Sequence, residues 1–329
     1  MYALNDMQPV VLVSVIASSG STPRGAGALM AVFQDGKSSG TIGGGAVEYA
    51  AQKHAASLFD AKSSNIASYT LAKNDVADLG MICGGDVTVL YEYIGLYDNR
   101  QYDLIRYLRN ALDKNENTWL IRRVESDKPP ETTVFDSTGL HFAQLSNSDE
   151  ILPLLGNAPA MTNGDVKYYA ELFSRAGRAY VFGGGHVAQE LVPVLARVGF
   201  PVVVYEDREN FAKAELFPDA IDIILGDFTN ISDRISIDES DFVIIMTRGH
   251  QNDYDVLEQT LRMSARYIGC IGSARKLAAV KQRLLDAGVP EAAFSRLYSP
   301  IGLKIKAETP AEIAVSIAAE MIQFRAESV

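Results

Sequence analysis

The pattern of apolar and polar positions differs between the two halves of this 329-residue chain. In the first half, short alternating or β-branched runs are bounded by Gly, Ser and Pro, which is typical of strands. Two stretches with apolar residues at helical spacing, residues 46–59 and 103–112, interrupt these runs, so this half predicts an α+β domain. Its predicted strands are residues 10–17, 28–33, 66–71, 86–94, 118–124, 132–136 and 139–145, of which the last three form an antiparallel meander with a Pro-Pro and a Ser-Thr-Gly turn.

In the second half, short and continuously apolar runs alternate with helical stretches. Continuous apolarity indicates that both faces of a sheet are covered, and strand–helix alternation indicates right-handed crossovers. The fold class is therefore α/β, with a Rossmann-like doubly wound parallel sheet after the α+β domain. Residues 146–165, rich in Ser, Asn, Pro and Gly, are interpreted as a linker or loop boundary, which gives domains at 1–165 and 166–329. The predicted strands of the second domain are residues 179–182, 201–206, 221–225, 241–247 and 266–271.

The composition disfavours nucleic-acid and membrane partners and indicates a reducing compartment. The 30 Lys and Arg residues against 41 Asp and Glu residues give a net charge of −11, which disfavours nucleic acid and anionic membrane surfaces. The two cysteines, Cys83 and Cys270, have neither disulfide-framework nor zinc-site spacing, which fits a reducing compartment. The apolar run 10–17 is interpreted as a buried strand, because Asp6 and no Lys or Arg precedes it. We expect a cytoplasmic protein that does not bind membranes.

A glycine-rich turn opens the second domain. The sequence GGGHVA at 183–188 follows a predicted strand and begins a helix, and Glu206 ends the next strand. This is the context of a dinucleotide fingerprint, in its weaker G-x-G-x-x-A form. Phosphate would lie at the helix N-terminus, and a carboxylate would take a ribose hydroxyl. A nucleotide or NAD(P) site and a Rossmann-like turn without a nucleotide both stay open. The candidate ligand-binding residues here are Gly183, Gly185, His186 and Asp207.

Two further loops follow strands of the predicted parallel sheet. Arg248 and His250 lie at one strand end, where Arg248 suits phosphate or carboxylate and His250 suits proton transfer. Ser273 is the predicted N-cap of a helix, and Arg275 lies in its first turn, where a cation opposes the helix dipole. An anion at that helix end would explain the placement. A solvated basic patch and a surface histidine are the competing interpretations.

The first domain contains a second group of candidates. Arg24 lies in the sequence GSTPRG after one strand, and the sequence GTIGGG precedes a helix and offers backbone N–H groups to an anion. Cys83, flanked by glycines, suits metal ligation or sulfur transfer. Hairpin turns and a small buried thiol are the competing interpretations. The candidate ligand-binding residues here are Arg24, Gly43, Gly44, Gly45 and Cys83, and Cys83 is the candidate metal ligand.

Other conspicuous residues are assigned to structure. Thr309 and Glu312 flank Pro310 in a capping-box pattern for the final helix. Cys270 lies inside an apolar run and is interpreted as a buried side chain. His54 is placed in the core or an interface, and His141 on a strand surface.

In this order the motifs resemble the xanthine dehydrogenase accessory factor family, XdhC/CoxI. The matching stretches span residues 20–317 and are GSTPRGAGALM, GTIGGGAVE, DLGMICGG, VFGGGHVA, MTRGH, YIGCIGSARK and SPIGLKIKAETPAEIAVSI. The resemblance implies a chaperone that binds molybdenum cofactor, protects it and delivers it to a xanthine dehydrogenase-type molybdenum hydroxylase after a terminal sulfur is installed. It implies that hydroxylase and a cysteine desulfurase as partners, and a homodimer. Catalysis in the narrow sense need not be part of this role.

The resemblance also implies a cleft shared by the two domains. It would be lined by Arg24, Gly43–Gly45 and Cys83 of the first domain and by Gly183–Gly185, Arg248 and Arg275 of the second. Two positions depart from the family pattern. Ala46 stands where some members have Cys, and Lys306 lies where a glycine is usual. The second departure leaves open whether the cofactor carries an added nucleotide. The alternative hypothesis is an NAD(P)-dependent oxidoreductase that uses the Rossmann-like domain.

Overall fold

The computed structural model of the chain describes residues 8–71, 85–95, 99–125, 128–142, 148–174, 177–272 and 274–327. The chain divides into two compact units, Met1–Arg175 and Ala176–Val329. None of the described helices is long and apolar enough to cross a membrane.

An antiparallel sheet begins the first unit. Its strands lie in the order β3-β2-β1-β5-β4, and alternate valines of β1 and β5 are buried against one helix, α1. Alternation of buried and exposed side chains is what a sheet covered on one face requires. The predicted strands of this sheet are confirmed. The elements are β1 (Val10–Gly20), β2 (Leu29–Phe33), β3 (Ser38–Gly40), α1 (Gly45–Ala61), β4 (Asn65–Leu71) and β5 (Gly85–Ile94).

A second antiparallel sheet, in the order β8-β7-β6-β10-β9, completes the first unit. The predicted antiparallel pairing of the meander is confirmed, although its last strand ends at His141 and residues 143–145 of the predicted strand lie outside the described part. The predicted Pro-Pro turn is wrong, because both prolines lie within β7. They are tolerated there because the β6–β7 register shifts between Arg123 and Glu125, and a bulge leaves backbone groups unpaired. The elements are α2 (Asn99–Asp113), β6 (Thr118–Glu125), β7 (Lys128–Asp136), β8 (Gly139–His141), α3 (Ser148–Ile151), a 3₁₀ helix (Leu152–Leu154), β9 (Ala160–Met161) and β10 (Lys167–Ser174).

The second unit contains a parallel sheet, as the sequence predicts, and its six strands lie in the order β13-β12-β11-β14-β15-β16. Apolar clusters cover both of its faces, which accounts for the continuous apolarity of its strands. The elements are β11 (Ala179–Phe182), α4 (His186–Arg197), β12 (Val202–Glu206), β13 (Asp222–Leu225), β14 (Phe242–Ile245), α5 (His250–Thr260), β15 (Tyr267–Cys270), α6 (Ala274–Asp286), β16 (Leu297–Tyr298) and α7 (Pro310–Glu327), with 3₁₀ helices at Ala214–Leu216, Phe228–Asp233 and Glu291–Arg296.

Two structural assignments from the sequence are confirmed in the second unit. The backbone N–H of Glu312 donates to Thr309 Oγ1 at 3.3 Å, and the N–H of Thr309 donates to Glu312 Oε2 at 3.0 Å, which is a capping box. Cys270 is buried in β15, and burial raises the pKa of its thiol to about 12. Neither feature therefore needs a role in chemistry.

Candidate functional site

Two glycine-containing loops of the first unit lie against each other at one end of the first sheet. A Cβ atom placed on Gly43 would lie 2.6 Å from Pro23 Cβ and 3.3 Å from the backbone N of Arg24. Only glycine permits this approach, and Gly43 also has φ +126°, which other residues rarely adopt. The structure therefore brings together the loop of Arg24 and the loop of Gly43–Gly45, which the sequence predicts as one site.

The start of β5 lies at the same end of this sheet. Gly85 pairs with Gly20, the last residue of β1, and a Cβ on Gly85 would lie 2.3 Å from Ser19 O. Cys83 lies outside the described residues, so its predicted role in metal or sulfur chemistry stays a prediction. The described chain resumes two residues later, at Gly85, beside the strand that leads into the Arg24 loop.

A carboxylate of the protein occupies much of the glycine loop before α1. Glu48 Oε2 accepts hydrogen bonds from the N–H of Ile42 at 3.0 Å, the N–H of Gly44 at 3.0 Å and Thr41 Oγ1 at 2.5 Å. These hydrogen bonds hold the pKa of Glu48 below its usual range, and the one from Thr41 has the largest effect on it. A bound anion would therefore depend on the guanidinium of Arg24, which is exposed, more than on these amides.

In the second unit, the candidate residues gather at the carboxyl edge of the parallel sheet. This edge at the β11–β14 boundary is the topological switch point, where open α/β sheets bind ligands. A Cβ on Gly183 would lie 2.5 Å from Met246 O, so the glycine lets the turn after β11 touch the end of β14. Gly185 is the N-cap of α4 and provides no side-chain cap, which leaves the first turn, beginning at the exposed His186, open to a ligand.

Glu206 binds the glycine turn from the end of β12. It is fully buried and accepts from the N–H of Gly184 at 2.5 Å and from Nε and Nη2 of Arg208 at 2.7 and 3.0 Å. Burial alone would raise the pKa of Glu206, but the hydrogen bonds from Arg208, Asp207 and Gly184 lower it to about 2. Glu206 therefore holds the turn in place and has little capacity left for a ribose hydroxyl.

Asp207 is the acidic residue of the pair that remains accessible to a ligand. Its carboxylate accepts from Asn252 Nδ2 at 3.5 Å, and burial together with the neighbouring Glu206 raises its pKa. Arg208 lies over the ring of Phe211 at 3.9 Å. Neither Arg208 nor Asn252 belongs to a motif recognised in the sequence, although a cation directly after two carboxylates is a signal that marks Arg208.

The loops after β14 and β15 reach the same edge. Asp253 accepts from the N–H of Thr247 at 3.2 Å and from its Oγ1 at 2.6 Å, which fixes the turn that carries the exposed Arg248. The side chain of His250 lies outside the described residues, and α5 begins at this residue. Ser273 and the side chain of Arg275 also lie outside the described part. Their predicted roles, and the predicted cleft shared with the first unit, stay predictions.

His141 has polar partners in the second sheet of the first unit. Its Nε2 lies 2.9 Å from Tyr107 Oη and 3.0 Å from Asp136 Oδ1. Asp136 is buried and also accepts from the N–H and Oγ1 of Thr138. No group of three His, Cys, Asp or Glu residues in the described ranges is placed to hold a metal ion.

Together these features define a two-unit α/β protein whose second unit has Rossmann strand order and a glycine turn at its switch point. The model of the XdhC and CoxI family matches residues 3–70, and the model of the XdhC Rossmann domain matches residues 179–321. The chain belongs to the XdhC and CoxI family.

Individual relatives match along nearly the whole chain. A Bacillus subtilis protein named as a probable component of xanthine dehydrogenase is 28% identical and is matched over 98% of this chain and 95% of its own length. The molybdenum cofactor insertion chaperone PaoD of Escherichia coli is 23% identical, over 98% of this chain and 86% of its own length. The crystal structure of a xanthine dehydrogenase from Bacillus halodurans has a TM-score of 0.84 at 27% identity and covers 100% of this chain and 96% of that chain.

Proposed function

We propose that this protein binds molybdenum cofactor and delivers it to a xanthine dehydrogenase-type molybdenum hydroxylase. The family membership and the likeness to a molybdenum cofactor insertion chaperone support this role. The structural observation that carries it is the convergence of family motifs at one end of the first sheet. There the Arg24 loop contacts Gly43, and Gly85 pairs with Gly20.

The chemistry of the cargo matches these residues. Molybdenum cofactor carries a phosphate, a pterin and a dithiolene that binds molybdenum. The exposed guanidinium of Arg24 and the N-terminus of α1 at Gly45 would attract the phosphate. The thiolate of Cys83 is a soft donor that would either ligate molybdenum or carry its sulfur. No acid–base step by the protein is needed for binding, shielding and transfer.

The second unit would hold a nucleotide, either NAD(P) or the nucleotide of a dinucleotide form of the cofactor. Its phosphate would lie at Gly185 and His186, and its ribose would meet Asp207, because Glu206 is already engaged. Arg248 stands at the neighbouring strand end. A fluorescence titration with NADH tests the first ligand, and saturable binding lost in Asp207→Ala is the expected result for that ligand.

Partners follow from the same proposal. A cysteine desulfurase would supply the terminal sulfur and the hydroxylase would receive the loaded cofactor, both in the cytoplasm. We also propose a homodimer. Light scattering of the purified chain tests the dimer, and co-purification with each enzyme tests the two partners.

Metal retention by cysteine variants tests the proposed function. Wild type, Cys83→Ala and the matched control Cys270→Ala are mixed anaerobically with purified molybdenum cofactor, desalted and analysed for molybdenum. We expect near-stoichiometric metal in wild type and in the Cys270 variant, because Cys270 is buried in β15. We expect loss of metal in the Cys83 variant. Retention by none of the three proteins would contradict the proposal, and equal loss in both variants would contradict the role of Cys83.

A further inference from the structure

A cleft of about 470 Å³ opens among both sheets and α2 of the first unit, away from the glycine loops. This volume lies in the usual range of roughly 300–1,000 Å³ for small-molecule sites. Aliphatic and proline side chains from β1, β5, α2, β6 and β7 form one part of its walls, and polar or charged side chains form the rest. The apolar lining includes Leu12, Leu104, Leu108, Leu120 and Pro130.

A buried guanidinium forms part of the lining of this cleft. Arg122 is 1% exposed, and its Nε donates to Glu92 Oε2 at 3.0 Å while its Nη1 donates to Glu171. Glu92 also accepts from Thr132, and Glu171 accepts from Tyr169 Oη at 2.9 Å. Burial would lower the pKa of Arg122, but the two carboxylates hold it above its usual range. The three charged groups sum to −1.

This cluster has hydrogen-bonding capacity left beside the cleft. Among the described residues, none accepts a hydrogen bond from Arg122 Nη2. A carboxylate has about four lone-pair sites, and Glu92 receives two hydrogen bonds. Both residues line the cleft, so a donor and an acceptor are available to the same ligand. The negative charge of this cluster disfavours a carboxylate or phosphate directly beside Glu92, whereas the cations Arg100, Arg123 and Lys128 line other parts of the cleft.

We propose that this cleft binds a neutral, flat heterocycle with the 2-amino-4-oxopyrimidine edge that guanine and pterins share. Its adjacent N–H groups would donate to Glu92, its carbonyl oxygen would accept from Arg122 Nη2, and its ring would pack between Leu108, Leu120 and Pro130. If the occupant is a pterin, this inference rests on the proposed function and extends it to a second contact with the cargo. If it is a guanine nucleoside, the cleft is a separate ligand site.

Binding of metal-free probes to the full chain tests the inference. Calorimetric titrations use pterin, guanosine and inosine, which is guanosine without the 2-amino group. We expect pterin, guanosine or both to bind, and the stronger one identifies the source. We expect inosine to bind roughly ten- to a hundredfold more weakly than guanosine wherever guanosine binds, because one N–H to a carboxylate is lost. Absence of binding by both pterin and guanosine, or equal binding of guanosine and inosine, would overturn the inference.

Variants locate the binding to this cleft. Glu92→Gln removes the charged acceptor, and Leu108→Trp fills the space without touching the ion cluster. The matched control is Glu131→Gln, at an exposed ion pair with Arg100 on the edge of the cleft. We expect the first two variants to lose at least about tenfold in affinity, and the control to stay within about twofold. Full binding by Leu108→Trp, with its fold checked by circular dichroism, would overturn the assignment. So would an equal loss in the control.

These results are independent of the metal assay. If the protein retains molybdenum but binds neither pterin nor guanosine, the carrier function stands and the proposed ligand site in the cleft is refuted. If it binds pterin or guanosine but retains no molybdenum, the ligand site stands and the carrier function is refuted.

Discussion

The buried carboxylate of Glu206 gives a stability prediction whose size follows from the structure. Replacing Glu206 by Gln retains its size and removes the charge that Arg208 and the glycine turn bind. The folded protein lowers the pKa of this group from 4.5 to about 2. At about 1.36 kcal/mol per pKa unit, the ionised form contributes at most roughly 3 kcal/mol to the free energy of unfolding at neutral pH, because the raised pKa of Asp207, which Glu206 causes in part, offsets some of it.

The pH dependence of this contribution has a definite sign. Because the pKa is lower in the folded state, the stabilisation is fully present above about pH 4.5 and is lost as the pH falls towards 2. Less than half of it remains at about pH 3 by the same linkage relation. The gap in the free energy of unfolding between wild type and Glu206→Gln should therefore be largest near pH 7 and shrink in acid.

Urea denaturation followed by far-ultraviolet circular dichroism at pH 7, 5 and 3 measures this gap. The matched control is Glu209→Gln, an exposed carboxylate three residues away in the same loop. We expect the control to change the free energy of unfolding by less than about 0.5 kcal/mol at each pH. Equal effects of the two variants, or a Glu206→Gln deficit that stays constant down to pH 3, would refute the reasoning.

Three further predictions concern other positions. Gly183→Ala should destabilise the second unit by more than about 2 kcal/mol, because its Cβ would lie 2.5 Å from Met246 O. Gly185→Ala should leave the melting temperature nearly unchanged, because nothing lies within 4 Å of its Cβ. Equal melting temperatures of the two variants would contradict this contrast. Asp136→Asn should lower the free energy of unfolding, measured in urea at pH 7, by about 2–4 kcal/mol, because a buried and hydrogen-bonded charge is lost. A decrease below about 0.5 kcal/mol would argue against the hydrogen bonds described for Asp136. In Cys83→Ala, the thiol of Cys270 should react with a thiol reagent only after unfolding, because it is buried and its pKa is raised to about 12. Rapid labelling of the native variant would disprove its burial.

Local sequence pattern predicts the strands of both units well, because alternating and continuous apolarity directly reflect which faces are covered. It does not predict β10, Lys167–Ser174, which pairs with β6 and belongs to the first unit. The reason is Glu171, a buried charge that interrupts the pattern. The charge that compensates it belongs to Arg122, which is distant in sequence, and a contact of that kind is invisible in a short window of sequence.

In the candidate site as well, some features can be predicted from the sequence and others cannot. The sequence locates both glycine turns, because glycine marks positions with positive φ or close backbone approach. It does not reveal that Glu48 fills the first turn and Glu206 the second with the protein's own carboxylates. Such partners depend on where a side chain points after folding. A glutamate four residues after Gly44, within the first turn of α1, was the available signal.

Activation of a cofactor-free molybdenum hydroxylase tests the central claim most directly. Wild type and Cys83→Ala are each incubated with molybdenum cofactor and desalted, mixed anaerobically with the cofactor-free enzyme, and compared with the same amount of free cofactor. The carrier function predicts faster and more complete activation from loaded wild type than from free cofactor, with little gain from the variant. Activation by free cofactor that equals activation by loaded wild type would contradict delivery by this protein.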